Sequence, residues 1–283
     1  MSDFLPTSRR GLLRALAAAP VAAVFPMASR AQDAAAASAG LISSSVCLVM
    51  PETTEGPYYI DPELVRADIT EEKTGVPLKM QIQVVDANCT PIPEARVDIW
   101  HCDAQGNYSG YANQGSDGTV NTEGETFLRG TLMADESGIV SFDTIYPGWY
   151  RGRTTHIHYK VFLDETTVLT SQIFFPDALS QYLFENVTEY ERSGTRDTVN
   201  KTDSIAQDAG DGAYCFIKEQ SDGYVAALVV GVNPDAVSSE GGMGAPGGQP
   251  PAGGPQGGGE PPAQGGPLGG DWTPEGLVPG TDN

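Results

Sequence analysis

The chain has 283 residues, with 16 Lys and Arg against 37 Asp and Glu, for a formal net charge of −21 at pH 7. That balance excludes nucleic acid and anionic membrane surfaces as partners, because their phosphates would be repelled. The length suits one sizeable domain or two small ones, and both ends differ in composition from the middle, leaving roughly two hundred residues to fold.

The chain opens with Ser8-Arg9-Arg10-Gly11-Leu12-Leu13-Arg14, continues through an Ala/Leu/Val-rich run to Phe25, and reaches small residues at Ala28-Ser29-Arg30-Ala31. This pattern predicts a twin-arginine export signal over 1–31 and a periplasmic or extracellular destination. The apolar run is too short to span a bilayer, so no membrane insertion is expected. Residues 32–46 are Ala/Ser-rich and read as a flexible leader. The cysteines are Cys47, Cys89, Cys102 and Cys215, none in Cys-x-x-Cys spacing. An even count after export predicts two disulfides rather than a zinc cluster. Spacing does not choose among the three pairings; Cys89 with Cys102 and Cys47 with Cys215 is the one expected here.

From Cys47 the chain reads as ordered. Residues 51–59, PETTEGPYY, form a loop dense in turn formers, in which Tyr58 and Tyr59 either pack or line a pocket. Leu78, Met80, Ile82 and Val84 alternate with polar residues, as do Val97 and Ile99 with Arg96 and Asp98, predicting two half-buried strands ending near Val84 and Trp100. A loop at 106–111 and a polar insert at 112–126 follow. Further strands are predicted over 127–134, 139–144, 156–163, 169–175 and 224–232, with a helical stretch only within 177–190. Many short strands between Gly/Pro turns indicate an all-β sandwich core with short helical and loop excursions. Residues 47–234 make up this domain. Beyond it the Gly/Pro/Gln-rich segment 235–283 cannot bury enough apolar surface to offset chain entropy and reads as a disordered tail.

The chemistry concentrates at 146–159, YPGWYRGRTTHIHY, which holds two of the chain's three histidines. On a strand, residues i and i+2 share a face, so His156 and His158 point one way while Ile157 and Tyr159 point the other. Such a pair often decorates a solvated strand face. Here Tyr150 lies just upstream, and Tyr108 follows the end of an earlier strand. Two phenolates and two imidazoles suit hard, trivalent, non-haem iron, Fe(3+), better than zinc, copper or magnesium. Tyr146 and Tyr111 are competing phenols, and His101 is expected to be structural.

The segments GPYY (56–59), DIWHCDAQGNY (98–108), FLRGT (127–131), GIVSFDTIYPGWY (138–150), GRTTHIHYKV (152–161) and LTSQIFF (169–175) resemble the intradiol ring-cleavage dioxygenases, above all the secreted branch. The resemblance covers roughly residues 47–234. It implies a β-sandwich with iron near its edge, held by Tyr108 and His156 as equatorial ligands and by Tyr150 and His158 as axial ones. It further implies that Arg153 stabilises developing negative charge, that Gln172 holds the pocket by hydrogen bonding, and that Tyr150 takes a substrate proton. The substrates implied are a catecholic aromatic and O2, and the product a cis,cis-muconate. The spacer between Tyr150 and His156 is shorter than in the best-known cytoplasmic members, which removes a loop near the substrate mouth. The sequence fixes neither the particular catechol nor the oligomeric state, and a homo-oligomer is compatible with it. Two other readings compete: a non-catalytic exported β-sandwich binding module with an inherited metal site, and a zinc hydrolase built on the two histidines. The second lacks a third His or a carboxylate at ligand spacing.

Overall fold

The computed structural model describes residues 47–61, 64–115 and 118–239; the export signal, the leader and all of the Gly/Pro-rich tail beyond 239 lie outside the described residues. The described residues contain eight strands: β1 (Pro77–Val85), β2 (Arg96–Trp100), β3 (Arg129–Met133), β4 (Ile139–Ile145), β5 (His156–Leu163), β6 (Thr166–Phe174), β7 (Phe216–Gln220) and β8 (Gly223–Gly231). Two α-helices, α1 (Asp177–Asn186) and α2 (Ser204–Ala209), and two short 3-10 turns follow β6. One sheet has the order β4-β1-β8-β7 and the second β3-β2-β5-β6, which is the all-β architecture expected. Every pairing is antiparallel except that of β1 with β8.

The alternation along β1 turns Leu78, Met80, Ile82 and Val84 inward, where they meet Ile99, Ile157, Tyr159, Val161 and Ile173 from the second sheet in one apolar core. Burial of such side chains contributes about 1.5–3 kcal/mol each. The outward face of the second sheet is also covered. In register across it stand Arg129, Trp100, His158 and Gln172, and next to that row Thr131, Asp98, Lys160 and Thr170. The segment 51–60 straps over these side chains. Thr53 N–H donates to Thr170 O (2.9 Å), Ser171 Oγ to Pro51 O (3.0 Å), and Gln172 Nε2 to Thr54 O (2.9 Å). Beneath the strap Lys160 pairs with Glu55. Asp98, fully buried, accepts from Arg96 Nη2 (2.8 Å), Thr131 Oγ1 (2.7 Å) and Tyr59 Oη (2.9 Å). Asp98 therefore faces a second, polar layer and not water, and Arg96 lies at the partly exposed margin of that layer.

One strand and one helix depart from the sequence reading. β7 carries only exposed or half-buried residues, so no inward alternation marks it. α2 has six residues and starts at the cap Asp203. Residues 235–239, read from the sequence as tail, are among the described residues, and Ser238 N–H donates to Thr167 O (2.8 Å).

The cysteines pair differently from expectation. Cys47 bonds Cys89, their Cα atoms 5.4 Å apart, while Cys102 and Cys215 are buried free thiols. The topology explains this. Val49 lies beside Gly231 at the end of β8, and β8 runs parallel to β1, so Cys47 arrives where the turn after β1 holds Cys89. Cys102 lies past the far end of β2, about 17 Å away along a five-residue strand. Its thiol turns to the carbonyl of Gly148 (3.6 Å). Burial pushes both free thiols up, that of Cys215 to about 12.

The loops 103–108 and 147–150 meet backbone to backbone. Gly148 N–H donates to Asp103 O (3.2 Å). A Cβ on Gly148 would stand 2.5 Å from the carbonyl oxygens of both Asp103 and Ala104. Gly106, at φ +83°, would place one 2.2 Å from Trp149 O. This seam brings the two loops bearing Tyr108 and Tyr150 together.

Two outcomes follow. Peptide mapping without reduction recovers Cys47 linked to Cys89, with Cys102 and Cys215 as thiols; any other linkage contradicts the topology. Gly148→Ala lowers unfolding free energy in denaturant by about 1–3 kcal/mol, and unchanged stability would mean that the loops do not abut.

Candidate metal centre

β5 is an interior strand of its sheet, so the cluster stands on that sheet's outward face at the end where β5 begins. His156 and His158 are 2 % and 1 % exposed, which removes the solvated-face alternative. His156 Nδ1–H donates to Thr154 O (2.6 Å) and leaves Nε2 with a free lone pair. His158 is fixed by stacking on Trp100, ring centroids 4.8 Å apart at 12°. The two Nε2 atoms stand 3.1 Å apart.

Both tyrosines aim at the same point. Tyr150 Oη lies 3.0 Å from His156 Nε2, Tyr108 Oη lies 3.3 Å from it, and the two hydroxyls are 3.5 Å apart. The insert read as merely polar holds Tyr108 in place: Tyr108 N–H donates to Gln114 Oε1 (3.2 Å), and Thr122 Oγ1 donates to Tyr108 O (2.6 Å). The competing phenols point elsewhere. Tyr146 Oη meets Ser180 Oγ (2.8 Å) in the core, and Tyr111 Oη donates to Tyr59 O (3.0 Å). His101 bonds the Cys102 carbonyl (2.8 Å) and Thr144 Oγ1 (2.8 Å), away from the cluster.

His156 Nε2 thus has Tyr150 Oη, Tyr108 Oη and His158 Nε2 within 3.0–3.3 Å, and the two phenol oxygens are 3.5 Å apart. That is the edge length expected of donors sharing one central ion at bonds of about 2.0–2.1 Å. Among the described residues no three His, Cys, Asp or Glu gather as a metal-binding group, so an ion here depends on the phenol oxygens. Burial, with the Arg153 guanidinium close by, holds both imidazoles well below the ordinary histidine range, so both offer neutral nitrogens. Burial, then the neighbouring Tyr150, pushes the Tyr108 phenol well above its ordinary value, and burial pushes Tyr150 up too. A multivalent cation between them would reverse that direction. The donor set fits a hard trivalent ion.

Arg153 Nη1 lies 3.4 Å from His156 Nε2, and Arg153 Nη2 donates to Gln172 Oε1. These two side chains are brought together against the cluster. Tyr58 stacks on Tyr108 with centroids 4.4 Å apart at 16°. Tyr59 reaches into the polar layer, where its hydroxyl meets Asp98 and Lys160 Nζ sits 4.0 Å from its ring centroid. Two residues escaped the sequence reading. Arg129, 2 % exposed, donates to Tyr58 O (2.6 Å) and Ser109 O (2.7 Å), tying the strap to the Tyr108 loop. Asp203 accepts from Arg153 Nε (2.9 Å) across 50 residues of sequence. The FLRGT motif pointed towards Arg129; for Asp203 the only local signal was that of a helix cap.

The dioxygenase family model matches residues 54–215. A catechol 1,2-dioxygenase from Acinetobacter baylyi is 30% identical over 211 residues, which cover 66% of this chain and 65% of the relative. One from a Pseudomonas species is 31% identical over 146 residues, 44% of this chain and 46% of the relative. The chain thus spans about two thirds or less of the length of these curated relatives. A solved intradiol ring-cleavage dioxygenase from Tetranychus urticae is 33% identical with a TM-score of 0.63, and the match covers 68% of this chain and 98% of that one. With the family model spanning more than half of the sequence and these relatives alongside it, the chain belongs to the intradiol ring-cleavage dioxygenase family.

Proposed function

We propose that this protein cleaves a catecholic aromatic between its two hydroxylated carbons with O2, giving a cis,cis-muconate-type product, at a non-haem Fe(3+) held by Tyr108, Tyr150, His156 and His158. The observation that carries this reading is the gathering of Tyr150 Oη, Tyr108 Oη and His158 Nε2 within 3.0–3.3 Å of His156 Nε2. Bound ferric iron supplies Lewis acidity that favours the catechol dianion and makes its ring reactive towards O2.

The protein's own groups do the rest. Tyr150 is the partly exposed member of the four, so its Oη, as phenolate, is the one placed to take a proton from an entering catechol hydroxyl. Arg153 holds a fixed positive charge beside the cluster, where negative charge develops on the substrate; a preorganised donor of this kind is worth about 3–4 kcal/mol. Gln172 keeps that guanidinium in place through its Oε1, while its amide nitrogen is held by Thr54 O. Tyr58 lines the approach over Tyr108, Tyr59 braces the strap from the polar layer, and Trp100 shields His158 from water. Export by the twin-arginine route to the periplasm or beyond accords with the Arg9-Arg10 segment and with the Cys47–Cys89 bond, which suits an oxidising compartment.

The test is direct. Purified protein is expected to carry one iron per chain and a burgundy tyrosinate-to-iron colour. It consumes one O2 per catechol across a panel of catechol, hydroxyquinol and protocatechuate, with a muconate as product. Tyr150→Phe shifts or bleaches the colour and cuts turnover about a hundredfold or more. Colour and turnover both unchanged in that variant would remove Tyr150 from the ligand set. A panel without O2 uptake would favour the binding-module reading.

A further inference from the structure

We propose that Asp203, contributed by the cap of α2, is the positioning residue that aims Arg153 at the reacting aromatic. The inference rests on the role given to Arg153 above.

Asp203 is 3 % exposed, and its carboxylate is fully subscribed. Oδ1 accepts from the N–H groups of Ile205 (2.9 Å) and Ala206 (3.3 Å), and Oδ2 accepts from Thr154 N–H (2.9 Å) and Arg153 Nε (2.9 Å). A carboxylate offers about four acceptor directions, and all are used. Three of the four donors are backbone groups on two different segments, so the position of the carboxylate is set without help from Arg153. The arginine is the adjustable partner.

Holding the guanidinium by Nε leaves both Nη groups directed at the site. Nη2 meets Gln172 and Nη1 stands 3.4 Å from His156 Nε2. A free arginine side chain carries about 2 kcal/mol of rotamer entropy and is drawn to water. Without its anchor it has an exposed acid near its own loop to turn to, because Asp197 accepts the Gly152 N–H (2.9 Å). The surrounding loop is stiffened to resist this. Thr154 Oγ1 donates to Asn200 Oδ1 (2.8 Å), and Asn200 Nδ2 donates to Phe175 O (2.7 Å). Asp203 also caps α2, so a purely structural role must be separated from an aiming one.

A double-mutant cycle in the full-length, iron-loaded protein makes that separation, with catechol or the fastest compound of the panel as substrate. Asp203→Ser keeps a helix-capping oxygen but withdraws the carboxylate from Arg153. It is expected to lower kcat about 30- to 100-fold with KM within about threefold, as misplacement of a group acting in the transition state does. Arg153→Ala is expected to lose about a hundredfold or more, and the double variant to match Arg153→Ala within about threefold. A crystal structure of Asp203→Ser is expected to show the guanidinium withdrawn from Gln172. Losses that multiply in the double variant, wild-type kcat in Asp203→Ser, or an unmoved guanidinium would each overturn the proposal. Asp203→Asn keeps the cap oxygen towards Ile205 and Ala206 and presents an amide N–H to Arg153, so it carries the same expectations if the serine variant does not fold. Wild-type turnover in Arg153→Ala would instead overturn the reading beneath, in which Arg153 acts on the substrate at all.

Discussion

The two-residue alternation along β5 is the constraint on which the rest of the structure depends. Ile157, Tyr159 and Val161 enter the apolar core, while His156, His158 and Lys160 enter the polar layer. A one-residue slip would exchange the two sets, placing imidazoles in the core and isoleucine in the site. The register is pinned on both sides, because Trp100 and Gln172 flank His158 and each packs on or bonds within the site. The hydrophobic effect that holds the sandwich together therefore also fixes the angle at which both imidazoles meet the phenols.

The second consequence of that alternation is electrostatic. The outward face of the sheet carries charges that cannot remain in water once the strap closes. Three are paired, Arg96 with Asp98, Lys160 with Glu55 and, on the loop before β5, Arg153 with Asp203, while Arg129 is met by Ser109 and by the Tyr58 carbonyl. Buried pairs add little net stability over apolar residues of the same volume, but removing one partner leaves a costly lone charge. Their distribution here suits positional definition. They hold the strap, the sheet and the 196–203 segment at fixed offsets around the donor cluster.

Much of this was legible in the sequence because it rests on local periodicity. The alternation of Leu78 to Val84, the co-facial His156 and His158, and Tyr150 just upstream of them all have short-range signatures. What stayed hidden rests on long-range placement. Asp98 looks like part of a solvent face because alternation cannot distinguish water from a strap laid down forty residues earlier. β7 has no buried face to mark it. The pairing of Cys47 with Cys89 depends on the chain entering alongside β8, a strand nearly two hundred residues later. Asp203 reads as an ordinary cap, and only the fold shows that its second oxygen serves an arginine on another loop.

The seam between Gly106 and Gly148 bears on how this scaffold can diversify. Main chain lies on main chain there, so no side chain is available for gradual change, and enlarging either residue pushes the phenol-bearing loops apart. A lineage adapting to a bulkier or more polar aromatic would have to vary the strap around Tyr58 or the 112–126 insert instead. The seam would be its frozen part, inherited unchanged while the rim around it drifts.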